Sequence, residues 1–245
     1  MYAKAPSPTA PRRSVRTVRG ARAALAALFL AVTAAACAGD PPRVTAKAPE
    51  SGASPLERAA LADGDLPDYQ VSALKIPGAT SGQPTADRAD CQPLADVMGD
   101  RPSPGALTTV NRGLGSRRAP GLAVAASLSA YDPADARRLL AALRTAVDAC
   151  GAGFTARVQG QSGRYSDVTA VPYEAGGDET VSWTATGAAR GLRAPLHMVV
   201  VREGATVVRF MALDLGRGGE GGASPRVPQE VADKQLAKIA RMPGG

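Results

Sequence analysis

Few residues in this 245-residue chain have the type and spacing to do chemistry. There is one histidine, His197, which excludes any site that needs two imidazoles. It sits mid-strand in Leu196–Val201, on the opposite face from Met198 and Val200, and reads as structural. Ser72-Ala73-Leu74-Lys75 matches S-x-x-K, a nucleophile pattern that requires the serine at a helix N-terminus with the lysine one turn on, plus S-D-N and K-T-G partners. Neither partner is in the sequence, and Pro77 follows too closely for a helix, so the match reads as chance. Gly160-Gln161-Ser162-Gly163 is not a G-x-S-x-G elbow, and there is no P-loop or dinucleotide fingerprint. Asp63, Asp65, Asp68, Asp167, Asp178 and Glu179 supply carboxylates. A pair flanking a glycosidic bond must be spaced across a cleft, which spacing along a chain does not fix. They read as solvated surface, as do Arg137/Arg138 and Arg190/Arg193, and Trp183 reads as core.

The cysteines carry more information. Residues 12–22 are basic, and Ala23–Ala36 form an apolar stretch of 14 residues, short for a membrane span and suited to a signal peptide. Ala34-Ala35-Ala36 lead directly into Cys37, which resembles a bacterial lipobox with alanine at Ala34 where leucine is usual. The resemblance implies diacylglyceryl attachment to Cys37, cleavage before it, and an extracytoplasmic, membrane-anchored protein; two acyl chains make a stable anchor. The alternative is ordinary secretion with Cys37 left as a thiol. Arg12-Arg13 is followed by Ser14-Val15-Arg16, a poor twin-arginine context, which favours Sec export. Cys91 and Cys150 remain, both on apolar helix faces. In an oxidising compartment they form a disulfide, which by chain entropy adds roughly 4 kcal/mol; two buried thiols are the alternative. With both occupied, no zinc ligand set is left.

The elements that must position these residues follow from periodicity. Residues 1–36 read as signal peptide, 37–55 as a flexible tether rich in Pro, Ala, Gly and Ser, and 56–245 as one folded domain. A helix spans Pro133–Cys150: Asp132 is the N-cap, the apolar stripe is Ala136, Leu139, Leu140, Leu143, Ala146, Val147 and Cys150, and Gly151 is the stop. Shorter helices are expected at Cys91–Met98, capped by Asp90, and at Pro228–Ala240. Strands are expected at Gly121–Tyr131, Phe154–Val158, Ser166–Tyr173 and Glu179–Thr186. Leu196–Arg202 and Thr206–Leu213 read as a hairpin turning at Glu203-Gly204. Gly216–Ser224 reads as a glycine-rich loop. The fold class is α+β, a twisted antiparallel sheet with helices packed on one face and one disulfide.

The formal charge of +7 suggests a nucleic-acid partner until the charges are placed. Lys4, Arg12, Arg13, Arg16, Arg19 and Arg22 lie before Cys37 with no acid among them, leaving 23 basic and 22 acidic residues beyond. The excess belongs to the leader, and a nucleic-acid partner is not expected. Arginine outnumbers lysine 24 to 5, a bias of GC-rich genomes.

Several segments together resemble actinobacterial exported lipoproteins and the extracellular sensor domains of mycobacterial PknH-type serine/threonine kinases. They are Gly64-Asp65-Leu66-Pro67-Asp68-Tyr69, Cys91-Gln92-Pro93-Leu94-Ala95-Asp96, Val147-Asp148-Ala149-Cys150, the hairpin Met198–Phe210 and Val231-Ala232-Asp233-Lys234-Gln235. The resemblance covers residues 60–241 and implies a twisted antiparallel sheet with helices leaving a ligand cleft. Those sensor domains carry two disulfides, whereas one is possible here, and no functional residue transfers. The expected role is a non-enzymatic, lipid-anchored ligand-binding or sensor-like domain without a cofactor, working with a small-molecule or envelope ligand or a membrane-protein partner. An envelope-assembly factor and an envelope-polymer hydrolase are the rivals.

Overall fold

The computed structural model describes residues 53–74, 82–99, 104–189, 191–214 and 225–242. The leader, Cys37, most of the tether, Lys75, Pro77, Arg190 and the Gly216–Ser224 loop lie outside the described residues.

The most hydrophobic stretch dictates the architecture. In Leu192–Glu203 (β8), Leu196, Met198 and Val200 point to one side and Val199 and Val201 to the other, and all five are buried. Thr206–Asp214 (β9) does the same, with Val207 on one side and Val208, Phe210 and Ala212 on the other. Strands apolar on both sides must be covered on both sides. Around them the described residues form a nine-stranded, wholly antiparallel sheet in the order β1-β3-β4-β9-β8-β7-β6-β5-β2. The other strands are Tyr69–Ala73 (β1), Thr85–Ala86 (β2), Thr108–Ser116 (β3), Leu122–Ala130 (β4), Phe154–Val158 (β5), Gln161–Ala170 (β6) and Glu179–Ala189 (β7).

The helices divide between the two faces. Pro55–Ala59 (α1) and Gln229–Ile239 (α4) cover Val110, Val124, Leu128, Val199, Val208 and Phe210. Gln92–Met98 (α2) and Pro133–Ala149 (α3) cover Phe154, Val181, Trp183, Met198, Val200 and Val207 on the opposite face. Packing of all helices on one face, as expected from the sequence, is therefore replaced by a helix pair on each.

Local readings hold with shifted ends. Asp132 occupies the N-cap of α3, although its side chain makes no capping bond. Asp90 falls within a 3-10 turn, Ala89–Cys91, and Cys91 takes the N-cap of α2 instead. Ser54, inside the stretch assigned to the tether, caps α1 by accepting the Glu57 amide at 3.1 Å. The Cys91–Cys150 disulfide is present, joining the start of α2 to the end of α3 across 59 residues. After it, Gly153 has φ 94° with no room for a Cβ beside the Tyr165 carbonyl, so only glycine turns the chain into β5.

Three buried polar side chains lock the layers. Gln235 of α4 donates to Ala59 O at 2.7 Å and accepts from Leu61 N–H at 3.0 Å, clamping the chain just after α1. Arg209 of β9 donates to Val97 O, to Gly99 O at 2.6 Å and to Ser127 Oγ at 2.5 Å. Its guanidinium thus meets the carbonyls that end α2, where positive charge is favoured. The third is His197.

Candidate functional site

His197 lies in β8 on the face shared with Val199, as its register opposite Ala212 requires. It is fully buried. Ser182 of β7 sits diagonally across, two positions from His197's direct partner Thr184, and its Oγ is 2.8 Å from Nε2. On the other side the Val227 backbone N–H donates to Nδ1 at 2.9 Å. An amide can only donate, so Nδ1 carries no proton, and the neutral ring must hold its proton on Nε2 and give it to Ser182. Burial, with the Arg226 charge as a second cause, lowers the imidazole pKa to about 4.

This polarity decides the chemistry. A serine nucleophile is activated when the imidazole accepts its proton. Here the imidazole donates to the serine, and its other nitrogen is occupied by a backbone amide rather than a carboxylate. The Ser182–His197 pair fastens the segment 225–228 to the sheet and does not prime a nucleophile. The sequence reading of His197 as a structural residue opposite Met198 and Val200 agrees with this geometry. Its two partners, 15 and 30 residues away, have no sequence signal.

Beside it, the Tyr173 ring lies 5.6 Å from the imidazole, tilted by 53°. Its hydroxyl is buried without a hydrogen-bond partner among the described residues, and burial together with the Asp233 charge pushes its pKa up to about 12. Tyr69 donates to Glu230 Oε1 at 2.7 Å, and burial and that carboxylate push its hydroxyl pKa up as well. Two tyrosines, His197, Arg226, Glu230 and Asp233 thus meet where the start of α4 approaches the sheet. Both phenols stay protonated at neutral pH.

The other candidates are dispersed. Ser72 lies in strand β1 and is exposed, so it is not at a helix N-terminus as S-x-x-K chemistry requires. Trp183 is fully buried under α3, in the core as expected, with an indole N–H that finds no partner among the described residues. Asp178 and Glu179 share Arg202: Nη1 donates to Asp178 at 2.6 Å and Nε to Glu179 at 3.0 Å, while Arg144 reaches Glu179 at 2.9 Å. The Gly204 amide and Arg202 lower the Asp178 pKa. Burial pushes Glu179 up, but Arg144 and Arg202 outweigh it and lower it. Asp65 follows the same pattern, with Lys238 at 2.5 Å and the Ala62 amide at 2.8 Å overcoming burial. Asp68 pairs with Arg118 at 2.8 Å, and Asp63 accepts from Val71 N–H at 3.4 Å. Asp167 is exposed at the β6 irregularity. Arg138 pairs with Asp135, and Arg137 is exposed, as is Arg193. The adjacent acids Asp178 and Glu179 share Arg202 and are held ionised, Glu179 with Arg144 and Asp178 with the Gly204 amide as further partners, which suits neither for proton transfer. Among the described residues no group of three or more His, Cys, Asp or Glu side chains is placed to hold a metal ion.

No protein-family model and no curated protein matches the chain. Among solved structures it is similar to the extracellular domain of PknH from Mycobacterium tuberculosis, at 14% identity and a TM-score of 0.41, covering 71% of this chain and 81% of that one. It is also similar to the uncharacterized Rv0999 ortholog from Mycobacterium smegmatis, at 17% identity and a TM-score of 0.38, covering 72% and 90%. The resemblance to the PknH-type sensor domain read from the sequence is thus found again among solved structures.

Proposed function

We propose that the chain is an extracytoplasmic, non-enzymatic binding or sensor-like domain, anchored to the outer face of the membrane through a diacylglyceryl group on Cys37. The observation that carries this reading is the Cys91–Cys150 disulfide. Structural disulfides persist in oxidising compartments outside the cytoplasm. The leader ending at Cys37 would deliver the chain there, and pairing of the other two cysteines leaves Cys37 alone for modification. The non-enzymatic part rests on His197, whose proton points toward Ser182, and on Asp178 and Glu179, bound to a common arginine. A ligand would meet the exposed and half-buried polar residues that β6 and β7 pair in register on one face, Ser166 with Thr186 and Thr169 with Thr184.

The test is to express the chain in an actinobacterial host fed an alkyne fatty acid, and to follow the label. Wild type is expected to carry it and Cys37→Ser to lack it; an unlabelled wild type would remove the anchor from this reading. Native mass spectrometry of the protein released from the envelope then addresses binding. A co-purifying small molecule is expected, and a clean apo mass across preparations would count against a ligand-binding role.

A further inference from the structure

The strand register collects charge at one end of the sheet. Arg164 of β6, Ala188 of β7 and Arg193 of β8 are directly paired in one row, so both arginines stand on the same face with one strand between them. Their backbones are about 10 Å apart, at the usual strand spacing. Arg157, opposite Ser162, lies on that face one step nearer the β5–β6 turn. Arg117 and Arg118 occupy the β3–β4 turn at the same end of their strands. All five are exposed. Against them stand Asp68, Asp87 and Asp214, of which Asp68 pairs with Arg118. At the β7–β8 turn is Leu192, on the opposite face from Arg193 by strand alternation but at the same end of the sheet, 76% exposed and the most exposed large hydrophobic residue described. The opposite end is different: Asp178 and Glu179 gather there around Arg202, and among the described residues the exposed Leu107 has no such arginine row beside it.

We infer that the β7–β8 hairpin end docks on an anionic phospholipid surface, with Leu192 entering the interface and Arg164, Arg193 and Arg157 lying among the headgroups. Charge complementarity selects the partner. An apolar tip beside arginines matches a surface that is anionic outside and hydrocarbon beneath, which a soluble anion is not. The inference rests on the proposed anchoring at Cys37. The sixteen residue-to-residue steps from Cys37 to Ala53 cannot span more than about 58 Å, so the membrane is always within reach of the domain. The acyl group then supplies attachment, and the hairpin end sets orientation.

The experiment uses residues 37–245 carrying Cys37→Ser, without an acyl chain, in flotation with vesicles of equal parts phosphatidylglycerol and phosphatidylcholine. Binding is expected to these vesicles and not to phosphatidylcholine alone, and to vanish at high salt. Arg164→Glu with Arg193→Glu should weaken it by roughly 30-fold or more, from the per-arginine attraction of an anionic leaflet. Leu192→Asp should also weaken it, whereas Leu107→Asp should not. No binding, or equal binding to both vesicle types, would overturn the inference. Loss with the arginine changes but full binding by Leu192→Asp would also overturn it and point to a soluble anionic polymer. Failure of anchoring itself is read separately, from fatty-acid labelling of the acylated chain.

Discussion

The Nε2 atom of His197 faces Ser182 Oγ at 2.8 Å with the proton on the histidine side. This direction follows from one backbone contact, the Val227 amide on Nδ1. It turns a serine–histidine pair into a fastener, and it makes the only histidine of the chain a reporter on the packing of the segment that enters α4.

That reporter has a measurable titration. His197 should titrate near pH 4, against about 6.5 for an unfolded histidine. Its folded pKa is depressed, so the unfolded chain binds the proton first. The stability it contributes is complete above about pH 6.5 and is lost as pH falls from there to about 4, up to ~3 kcal/mol in total. The single imidazole resonance in proton NMR gives the midpoint directly, and nitrogen shifts give the tautomer, expected to be Nε2–H. A midpoint near 6.5 would show an open ring.

Ser182 should be unreactive. Fluorophosphonate probes are expected to leave the folded protein unlabelled. Ser182→Ala should cost about 1–2 kcal/mol in urea unfolding, because it strands the buried Nε2–H. Covalent labelling of Ser182 would refute the assigned proton direction.

The disulfide should dominate thermal stability. Cys91→Ser and Cys150→Ser are each expected to lower unfolding free energy by about 3–4 kcal/mol, and the double variant by nearly the same amount, since one bond is lost in all three. Calorimetry with and without reductant checks this. Additive losses would mean that the cysteines act separately.

Gln235 should behave as a clamp. Gln235→Ala leaves Ala59 O and Leu61 N–H without their partner and should cost about 2–4 kcal/mol. Gln235→Glu keeps an acceptor for Leu61 but loses the donor to Ala59. It should be less stable at neutral pH than at a pH where the introduced carboxyl is protonated. Denaturant unfolding at the two pH values reads the difference.

How much of this was legible depended on how far apart the cooperating residues lie. The α3 stripe and the β8–β9 hairpin are local patterns, and the sequence shows them with ends exact or off by at most four residues. Strand β3 is hidden in the sequence because Arg112, Gly113 and Gly115 interrupt its alternation, leaving Val110 and Leu114 as its only buried apolar positions. Strands β1 and β2 are short edges with little pattern at all. Helices on both faces could have been read from Met198-Val199-Val200-Val201, since a run without polar alternation has no solvent side. The fastening of His197, the clamp of Gln235 and the row of Arg164 and Arg193 are tertiary. Each unites residues that only strand pairing or helix docking brings together.

The strand order also fixes when the domain can close. Strand β4 pairs with β9 rather than with anything made in the intervening 75 residues. A chain emerging N-terminus first therefore presents the β3–β4 hairpin with one side open until β9 arrives. Gln235, near the end of the chain, must arrive later still to seal the loop at residues 59–61. By contrast, Cys91 and Cys150 are both out before β5 begins. Oxidation can thus join α2 to α3 on an unfinished sheet, and the covalent bond is an early commitment in a fold whose last contacts tie its beginning to its end.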